Sequence, residues 1–274
     1  MVFFVLFILT LWVKSFWSDV RPAPYSNSAV MFNFFSRKRE PQKLFFKTDI
    51  HCHVLPGIDD GSPDVDTSVE LIERMQKWGI ERIIASPHIT FGTFENTAEI
   101  MDGAMAQLQS RLTELGNPLR LSHSAENRVD DLFMENFAAG KLITLPGNRL
   151  LVENSFIQEP WNLDQLLFDL QVKGFRPIMV HPERYSYYYG HKERYKAIHE
   201  AGTAFQINLL SLAGHYGKDE KRIAEYLIEQ GMVDYIGSDL HRDSHADSID
   251  KYLASKDYER HRAALEGRIH NDEI

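Results

Sequence analysis

The segment Asp49-Ile-His-Cys-His-Val-Leu-Pro-Gly-Ile-Asp-Asp-Gly61 decides how the rest of the chain is interpreted. Its histidines, His51 and His53, are two residues apart, and side chains with that spacing on a strand point to the same face. Two imidazoles can therefore converge on one point, as metal binding requires. Asp59 and Asp60 follow a Pro-Gly turn and can fold back toward that point. The segment predicts a metal site at the end of the first strand.

After Pro41 the sequence alternates between strand-like apolar runs and helix-like segments, most of which stop at a glycine. The predicted strands cover residues 44–54, 82–86, 119–125, 150–152, 177–180, 204–209 and 233–237. The predicted helices cover residues 66–78, 96–115, 130–140, 161–173, 191–200, 218–230 and 246–266. This alternation is typical of an α/β fold with a parallel sheet. A closed β/α barrel is favoured over an open doubly wound sheet, because a nucleotide-binding open sheet would carry a glycine-rich loop after the first strand, and none is present in the sequence.

Six of the seven predicted strands place a histidine, aspartate or glutamate at or just past their C-terminal end. In a β/α barrel these ends meet on one face, where active sites lie. The candidate metal ligands are His51, His53, Asp60, His88, Glu126, Glu153, His181, Asp239 and His241. Nine ligands exceed what one ion takes and suit two or three divalent ions that share carboxylates. Imidazole and carboxylate ligands without a thiolate favour manganese, iron or zinc.

The charge of this site predicts an anionic substrate. Its four carboxylates supply −4, whereas three divalent ions supply +6, so a trinuclear site is positive overall. Arg184 lies three residues after His181 and adds a planar guanidinium that suits phosphate. Divalent ions activate water and stabilise the attacking and leaving oxygens of phosphoester hydrolysis. The site therefore indicates a phosphoester hydrolase.

Composition sets wider limits on the function. The chain has 274 residues, of which 43% are hydrophobic, and this fits one large domain. Its net charge of −9 argues against nucleic acid as a partner. Cys52 is the one cysteine, which excludes an intramolecular disulfide and is consistent with the cytoplasm. A cysteine phosphatase would need arginine six residues after Cys52, where the chain has Ile58.

The N-terminal segment has a different composition from the rest. Residues 1–46 are interpreted as an apolar leader and linker, and residues 47–274 as the barrel with a C-terminal helix. The apolar run Met1–Val13 is shorter than the about 20 residues that span a bilayer, and it lacks the basic start of a secretory signal. We expect Met31 to be the true start. The alternative is a weak membrane anchor followed by a basic cluster, Arg37, Lys38 and Arg39.

Several motifs between Thr48 and His245 carry a family resemblance. They include Asp-x-His-x-His, Leu-Pro-Gly-Ile-Asp-Asp-Gly, Ser-Pro-His, Val-Glu-Asn-Ser-Phe, His-Pro-Glu-Arg-Tyr, Gln-Ile-Asn-Leu-Leu-Ser-Leu and Gly-Ser-Asp-Leu-His. In combination they resemble the polymerase-and-histidinol-phosphatase superfamily, and more closely its bacterial tyrosine-protein phosphatases of capsule and exopolysaccharide operons. The resemblance implies a distorted (β/α)7 barrel and a metal cluster, usually of manganese, held by the nine residues above. It selects Asp60 over Asp59 as the ligand and implies that Arg184 contacts phosphate.

The resemblance also implies the substrate, phosphotyrosine on a partner tyrosine kinase that controls capsule or exopolysaccharide synthesis. Membrane association would then arise only through that partner or through the N-terminal segment. Two alternatives stay open: a small-molecule phosphomonoesterase, such as a histidinol-phosphate phosphatase, and a metal-binding interaction module without catalysis. The complete set of ligands argues against the second alternative.

Two departures from the family pattern concern substrate contacts. Many members place an arginine a few residues after the final Asp-x-His, whereas this chain has Arg242 directly after His241 and His245 four residues after it. Arg242 and His245 are therefore both candidates for a second phosphate contact. After Glu126, where an aromatic residue is common, this chain has Asn127-Arg128, which can alter the shape of the substrate site.

Overall fold

The computed structural model describes residues 39–274. The predictions on residues 1–30, on Met31 and on Arg37 and Lys38 therefore lie outside the described residues. Within the described range, none of the helices has the length and apolar character needed to cross a membrane.

Ten strands and nine α-helices make up the described part of the chain. The strands are β1 Thr48–Asp49, β2 Arg82–Ala85, β3 His88–Thr90, β4 Phe94–Glu95, β5 Arg120–His123, β6 Glu126–Arg128, β7 Arg149–Glu153, β8 Arg176–Val180, β9 Ala204–Asn208 and β10 Tyr235–Gly237. The helices are α1 Val65–Lys77, α2 Ala98–Glu114, α3 Asp131–Ala139, α4 Leu163–Val172, α5 Lys192–Glu200, α6 Leu209–Leu212, α7 Lys218–Glu229, α8 Asp243–Leu253 and α9 Lys256–Leu265.

Two of the barrel strands are kinked into two halves. β2 and β3 are separated by Ser86-Pro87, where proline has no N–H to donate to the ladder. β5 and β6 run parallel beside them with a break at the same level. Pairing continues across the break, because Ser124 N donates to Ala85 O at 2.8 Å and Glu126 N donates to Pro87 O at 3.0 Å. Each pair of short strands is therefore one distorted strand of the barrel.

The barrel is closed by the backbone of the segment His51–His53. The remaining parallel order is β6-β7-β8-β9-β10, and β1 pairs with β2. The first and last strands meet at a parallel bridge between Cys52 and Leu240. Asp239 N donates to His51 O at 2.8 Å, and His53 N donates to Leu240 O at 3.0 Å. Seven strands in chain order thus form a closed ring, and the predicted distorted (β/α)7 barrel is confirmed.

Local sequence signals explain where the helices begin and end. The Asp64 side chain caps α1 by accepting from Thr67 N at 2.8 Å. Helix α1 buries Leu71, Ile72 and Met75 against the barrel. Helix α3 ends at Gly140, which adopts a left-handed φ of 67° that favours glycine.

Three sequence predictions of secondary structure need correction. The first strand, predicted over 44–54, is regular only at Thr48–Asp49, because the chain bends at His51 and pairs again only at the Cys52–Leu240 bridge. The second strand resumes after Pro87 and forms an antiparallel hairpin, β3–β4. The terminal helix predicted over 246–266 is two helices, because Ser255 caps α9 by accepting from Tyr258 N at 3.1 Å.

Candidate metal centre

All nine predicted ligands lie together at the C-terminal face of the barrel. Their ligand atoms fall into four overlapping groups, in each of which the atoms lie within 4.8 Å of one another. The groups are His53, Asp60, His88 and His241; His51, His53 and Asp239; His51, Glu126 and His181; and His88, Glu126 and Glu153. His51, His53, His88 and Glu126 each belong to two groups, so neighbouring groups would share ligands if each held an ion.

Glu126 is the centre of the cluster. Its Oε2 atom lies 3.4 Å from His51 Nε2, 3.5 Å from His53 Nε2 and 2.9 Å from His88 Nδ1. Asp239 Oδ1 lies 3.5 Å from His53 Nε2 and 3.7 Å from His51 Nε2. Two ligand atoms that bind the same ion, each at about 2.0–2.2 Å, are separated by roughly these distances. The spacing therefore fits ions placed between the side chains.

Unsatisfied buried atoms give an independent test of that fit. His51 Nε2, His53 Nε2, His88 Nδ1 and Glu126 Oε2 are buried and have no hydrogen-bond partner within residues 39–274. Buried polar atoms without partners are rare in proteins because leaving them unpaired is costly. Divalent ions would satisfy these atoms together, so the residues present fit a metal cluster.

The carboxylates of the centre differ in the direction in which their pKa values are shifted. Although burial raises it, the charges of His51 and His88 hold the pKa of Glu126 well below its ordinary value. Burial, and then repulsion from Glu126, raise the pKa of Glu153 to about 7. Hydrogen bonds from His241 and His88 lower the pKa of Asp60. The centre thus concentrates negative charge that cations would neutralise.

The two adjacent aspartates have different surroundings. The buried Asp59 carboxylate lies 2.8 Å from His53 Nδ1 and accepts from Gly61 N at 3.0 Å. Asp60 is about half exposed, and its Oδ1 lies 3.4 Å from both His88 Nε2 and His241 Nε2. Asp60 therefore faces the cluster, whereas Asp59 orients the His53 ring so that Nε2 points inward, as outer carboxylates do at metal sites.

We expect Asp59→Asn to weaken metal binding roughly 10–100-fold, because an amide orients and polarises His53 less well than a carboxylate. Calorimetric titration of the metal-free variant with manganese measures this directly. Asp64→Asn is the matched control, since Asp64 lies in the same loop and asparagine caps a helix equally well. Equal affinities in the two variants would contradict the orienting role of Asp59.

Gln206 and Asn208 are site residues that the sequence analysis missed. Gln206 Oε1 accepts from His51 Nδ1 at 2.6 Å, and Asn208 Nδ2 donates to Asp239 Oδ2 at 2.6 Å. Gln206 Nε2 also donates to Asn208 Oδ1 at 2.8 Å. The two residues lie two apart at the end of β9, the strand that carries no histidine, aspartate or glutamate there. Their shared phase on β9 is the signal that could identify them, although neither amide is among the common metal ligands.

Two candidate ligands adopt a strained backbone. His181 has φ 34° and Asp239 has φ 51°, in the left-handed region that non-glycine residues rarely enter. Both follow a strand end, and each backbone N–H is fixed by the neighbouring strand: His181 N donates to Gln206 O at 2.7 Å, and Asp239 N donates to His51 O at 2.8 Å. Strain of this kind clusters at functional sites.

Arg184 faces the cluster, as the sequence predicted. It ends a short 3₁₀ turn, Pro182–Arg184, and its Nη1 donates to Asp239 Oδ2 at 3.2 Å. The guanidinium lies between two aromatic rings, 4.7 Å from the centre of Phe156 and 4.2 Å from that of Tyr216. The Tyr216 hydroxyl donates to the same Asp239 oxygen at 2.8 Å. The arginine is therefore held flat at the edge of the cluster.

A cavity of about 530 Å³ lies over the cluster, and three further candidates for a phosphate contact line it. Arg128, two residues after Glu126 on β6, donates to Glu153 Oε2 at 3.2 Å. Arg242 is exposed, whereas the His245 side chain is buried with Nδ1 3.4 Å from the carbonyl of Asp239. Asn127 instead donates to the backbone carbonyls of the surrounding strands and loop, so it supports the fold. Arg128 therefore joins Arg242 and His245 as a candidate second phosphate contact.

Comparison with known proteins is consistent with this site. The family model for capsular polysaccharide synthesis, CpsB/CapC, matches residues 47–257. Tyrosine-protein phosphatase YwqE of Bacillus subtilis is 34% identical over 194 residues, which cover 70% of this chain and 76% of YwqE. Tyrosine-protein phosphatase CpsB of Streptococcus agalactiae serotype V is 26% identical over 199 residues, which cover 70% of this chain and 82% of CpsB.

The fold is shared with a relative of known structure. A crystal structure from work on YwqE of Bacillus subtilis and CpsB of Streptococcus pneumoniae, described as metal-dependent tyrosine phosphatases, superposes with a TM-score of 0.69 at 31% identity. The match covers 81% of this chain and 95% of that chain. With most of its length matched by both the family model and this structure, the chain belongs to the CpsB/CapC family of capsular polysaccharide synthesis proteins.

Proposed function

We propose that this chain is a metal-dependent protein-tyrosine phosphatase that acts in capsule or exopolysaccharide synthesis. The observation that carries the proposal is the nine-residue cluster around Glu126, with Arg184 held at its edge. Relatives named tyrosine-protein phosphatases, at 34% and 26% identity, support the same reaction. The complete ligand set argues against a domain that binds metal without catalysis.

The nine residues would hold two or three divalent ions, and we propose manganese as the metal, with iron or zinc as alternatives. Such ions supply Lewis acidity to phosphoryl oxygens and activate water for in-line attack. The protein contributes an orienting shell: Asp59 fixes His53, Gln206 fixes His51, and Asn208 fixes Asp239. These contacts preorganise the site before substrate arrives.

Arg184 would bind the phosphoryl oxygens that face away from the ions. The stacking of its guanidinium between Phe156 and Tyr216 fixes the plane in which its N–H groups point. A planar donor pair matches two phosphate oxygens, and its interaction strengthens as negative charge accumulates in the transition state. Arg184 thus both positions the phosphate and stabilises the developing charge.

The leaving group distinguishes the protein-tyrosine phosphatase from the small-molecule phosphatase. A tyrosine phenol has a pKa of about 10 and departs as phenolate with little help from an acid, whereas an alkoxide needs a proton. We therefore expect, with added manganese, much faster hydrolysis of a phosphotyrosine peptide than of a phosphoserine peptide or histidinol phosphate. Equal or faster turnover of either alkyl ester would favour the small-molecule alternative.

The physiological substrate we propose is phosphotyrosine on a bacterial tyrosine kinase that controls capsule or exopolysaccharide production. A cytoplasmic location is part of this proposal and accords with the single thiol, Cys52, being buried and free. An autophosphorylated kinase of this type should be dephosphorylated when manganese and the protein are added. Loss of the signal in a phosphotyrosine immunoblot provides the measurement.

A further inference from the structure

We propose that the rim of the cavity carries an apolar docking surface for the polypeptide that flanks the phosphotyrosine. This rim surface consists of Phe91, Ile157 and Trp161, which are 57%, 87% and 95% exposed. The inference rests on the proposed function and specifies the substrate further: a protein segment with apolar side chains close to the phosphotyrosine. Trp161 is the most exposed of the three, and tryptophan is enriched among the residues that dominate binding energy at interfaces.

The rim surface is continuous with the cavity along the chain. Thr90, Thr93 and Phe94 line the cavity, and Phe91 lies between them at the tip of the β3–β4 hairpin. On the β7–α4 loop, Phe156 lines the cavity and Ile157 is the next residue. Trp161 follows four residues later, two residues before α4 begins at Leu163. Two of the loops that line the cavity thus also carry exposed apolar side chains.

Both loops have anchored backbones. Phe91 N donates to Asp130 Oδ2 at 2.9 Å, which ties the hairpin tip to the cap of α3. The Tyr187 hydroxyl donates to Ser155 O at 3.0 Å, and Arg194 donates to both oxygens of Glu159 at 2.8 and 2.9 Å. The exposed side chains are therefore presented by fixed loops. A preorganised surface loses little entropy on binding, which favours affinity.

The dimensions and charge of the cavity identify the occupant. A volume of about 530 Å³ is typical of a small-ligand pocket, so it accepts the phosphotyrosine side chain and leaves the rest of a protein outside, on the rim. Arg128 and Arg242 line the same cavity and attract an anion there. A pocket that would hold phosphate through these arginines and the metal ions of the proposed function, and that is bordered by apolar side chains, suits a phosphotyrosine with apolar neighbours.

The test compares three substrates in the presence of manganese. They are O-phosphotyrosine, an 11-residue phosphotyrosine peptide with leucines two and three residues on either side, and the same peptide with serines in place of leucines. For the unaltered protein, we expect kcat/KM to be highest for the leucine peptide. In the double variant Ile157→Ser, Trp161→Ser this value should fall about 10-fold, with O-phosphotyrosine turnover unchanged. Phe91→Ser should also lower kcat/KM for the leucine peptide.

Val172→Ser is the matched control. Val172 is 68% exposed and lies at the far end of α4, which leads into the N-terminal end of β8. Its removal deletes exposed apolar surface away from the rim, so the preference for leucine peptide should persist.

The outcomes separate the two proposals. Hydrolysis of O-phosphotyrosine without preference for the leucine peptide would overturn the docking surface and leave the phosphatase intact. A preference for the leucine peptide that persists in the double variant would also overturn the docking surface. So would a sedimentation measurement that finds the unaltered protein dimeric and the double variant monomeric, with the same peptide turnover in both. Failure of the unaltered protein to hydrolyse O-phosphotyrosine would refute both proposals.

Discussion

Protein stripped of metal by a chelator is expected to lose phosphotyrosine hydrolysis and to recover it when manganese is added. The loss should exceed the roughly 10²–10³-fold that removal of a single transition-state donor costs, because the ions act on several oxygens at once. The protein itself should stay folded, since its core lies beneath the cluster. Hydrolysis assays and circular dichroism on the same samples measure the two properties separately.

Metal content and stability provide two further measurements of this first prediction. Elemental analysis should find two or three ions per chain, and one ion or fewer would contradict the cluster. The midpoint of thermal unfolding should rise with manganese, since a ligand at 100 times its dissociation constant stabilises the folded state by about 2.7 kcal/mol. The effect should be pronounced here because the backbones of His51 and His53 close the barrel.

Arg184→Ala is expected to lower kcat roughly 10²–10³-fold while the bound metal stays unchanged. The guanidinium contacts Asp239 through one hydrogen bond, and Asn208 and Tyr216 hold the same carboxylate independently. Removal of the arginine therefore deletes a phosphate donor and leaves the cluster supported. Arg184→Lys should recover only part of the rate, since lysine keeps the charge but lacks the planar donor pair.

Arg176→Ala serves as the control for this second prediction. Arg176 is an exposed arginine at the opposite end of β8, the strand that leads to Arg184, so its removal should leave kcat unchanged. Full activity of Arg184→Ala, or a loss of metal from it, would contradict the phosphate-binding role. A comparison with Arg128→Ala, Arg242→Ala and His245→Ala would then identify the residue that contacts phosphate.

The fold and the membership of the cluster could be predicted because both depend on a simple geometric rule. Parallel strands in a barrel end on one face, so side chains such as Glu153 and His181 were expected to meet without any knowledge of the loops. The structure brings together all nine residues, and their roles as ligands stay predictions. The same rule anticipated that Arg184 faces the cluster.

The features that could not be predicted depend on tertiary contacts, which no local sequence pattern indicates. The strand that resumes after Pro87, β3, has as its parallel partner β6, a strand distant in sequence. The choice between Asp59 and Asp60 depends on which carboxylate reaches the His53 Nδ1 atom in the folded chain. The stacking of Arg184 between Phe156 and Tyr216 joins three separate loops. Each of these features is set by tertiary structure.

The left-handed backbones of His181 and Asp239 have an evolutionary consequence. Each costs the folded state about 1–3 kcal/mol, and glycine in either position would relieve most of that cost. In a lineage freed from selection on its chemistry, glycine at these two positions would therefore lower the backbone strain, at the loss of the side-chain contacts that His181 and Asp239 make. In metal-free protein, His181→Gly should accordingly melt at a higher temperature than His181→Ala.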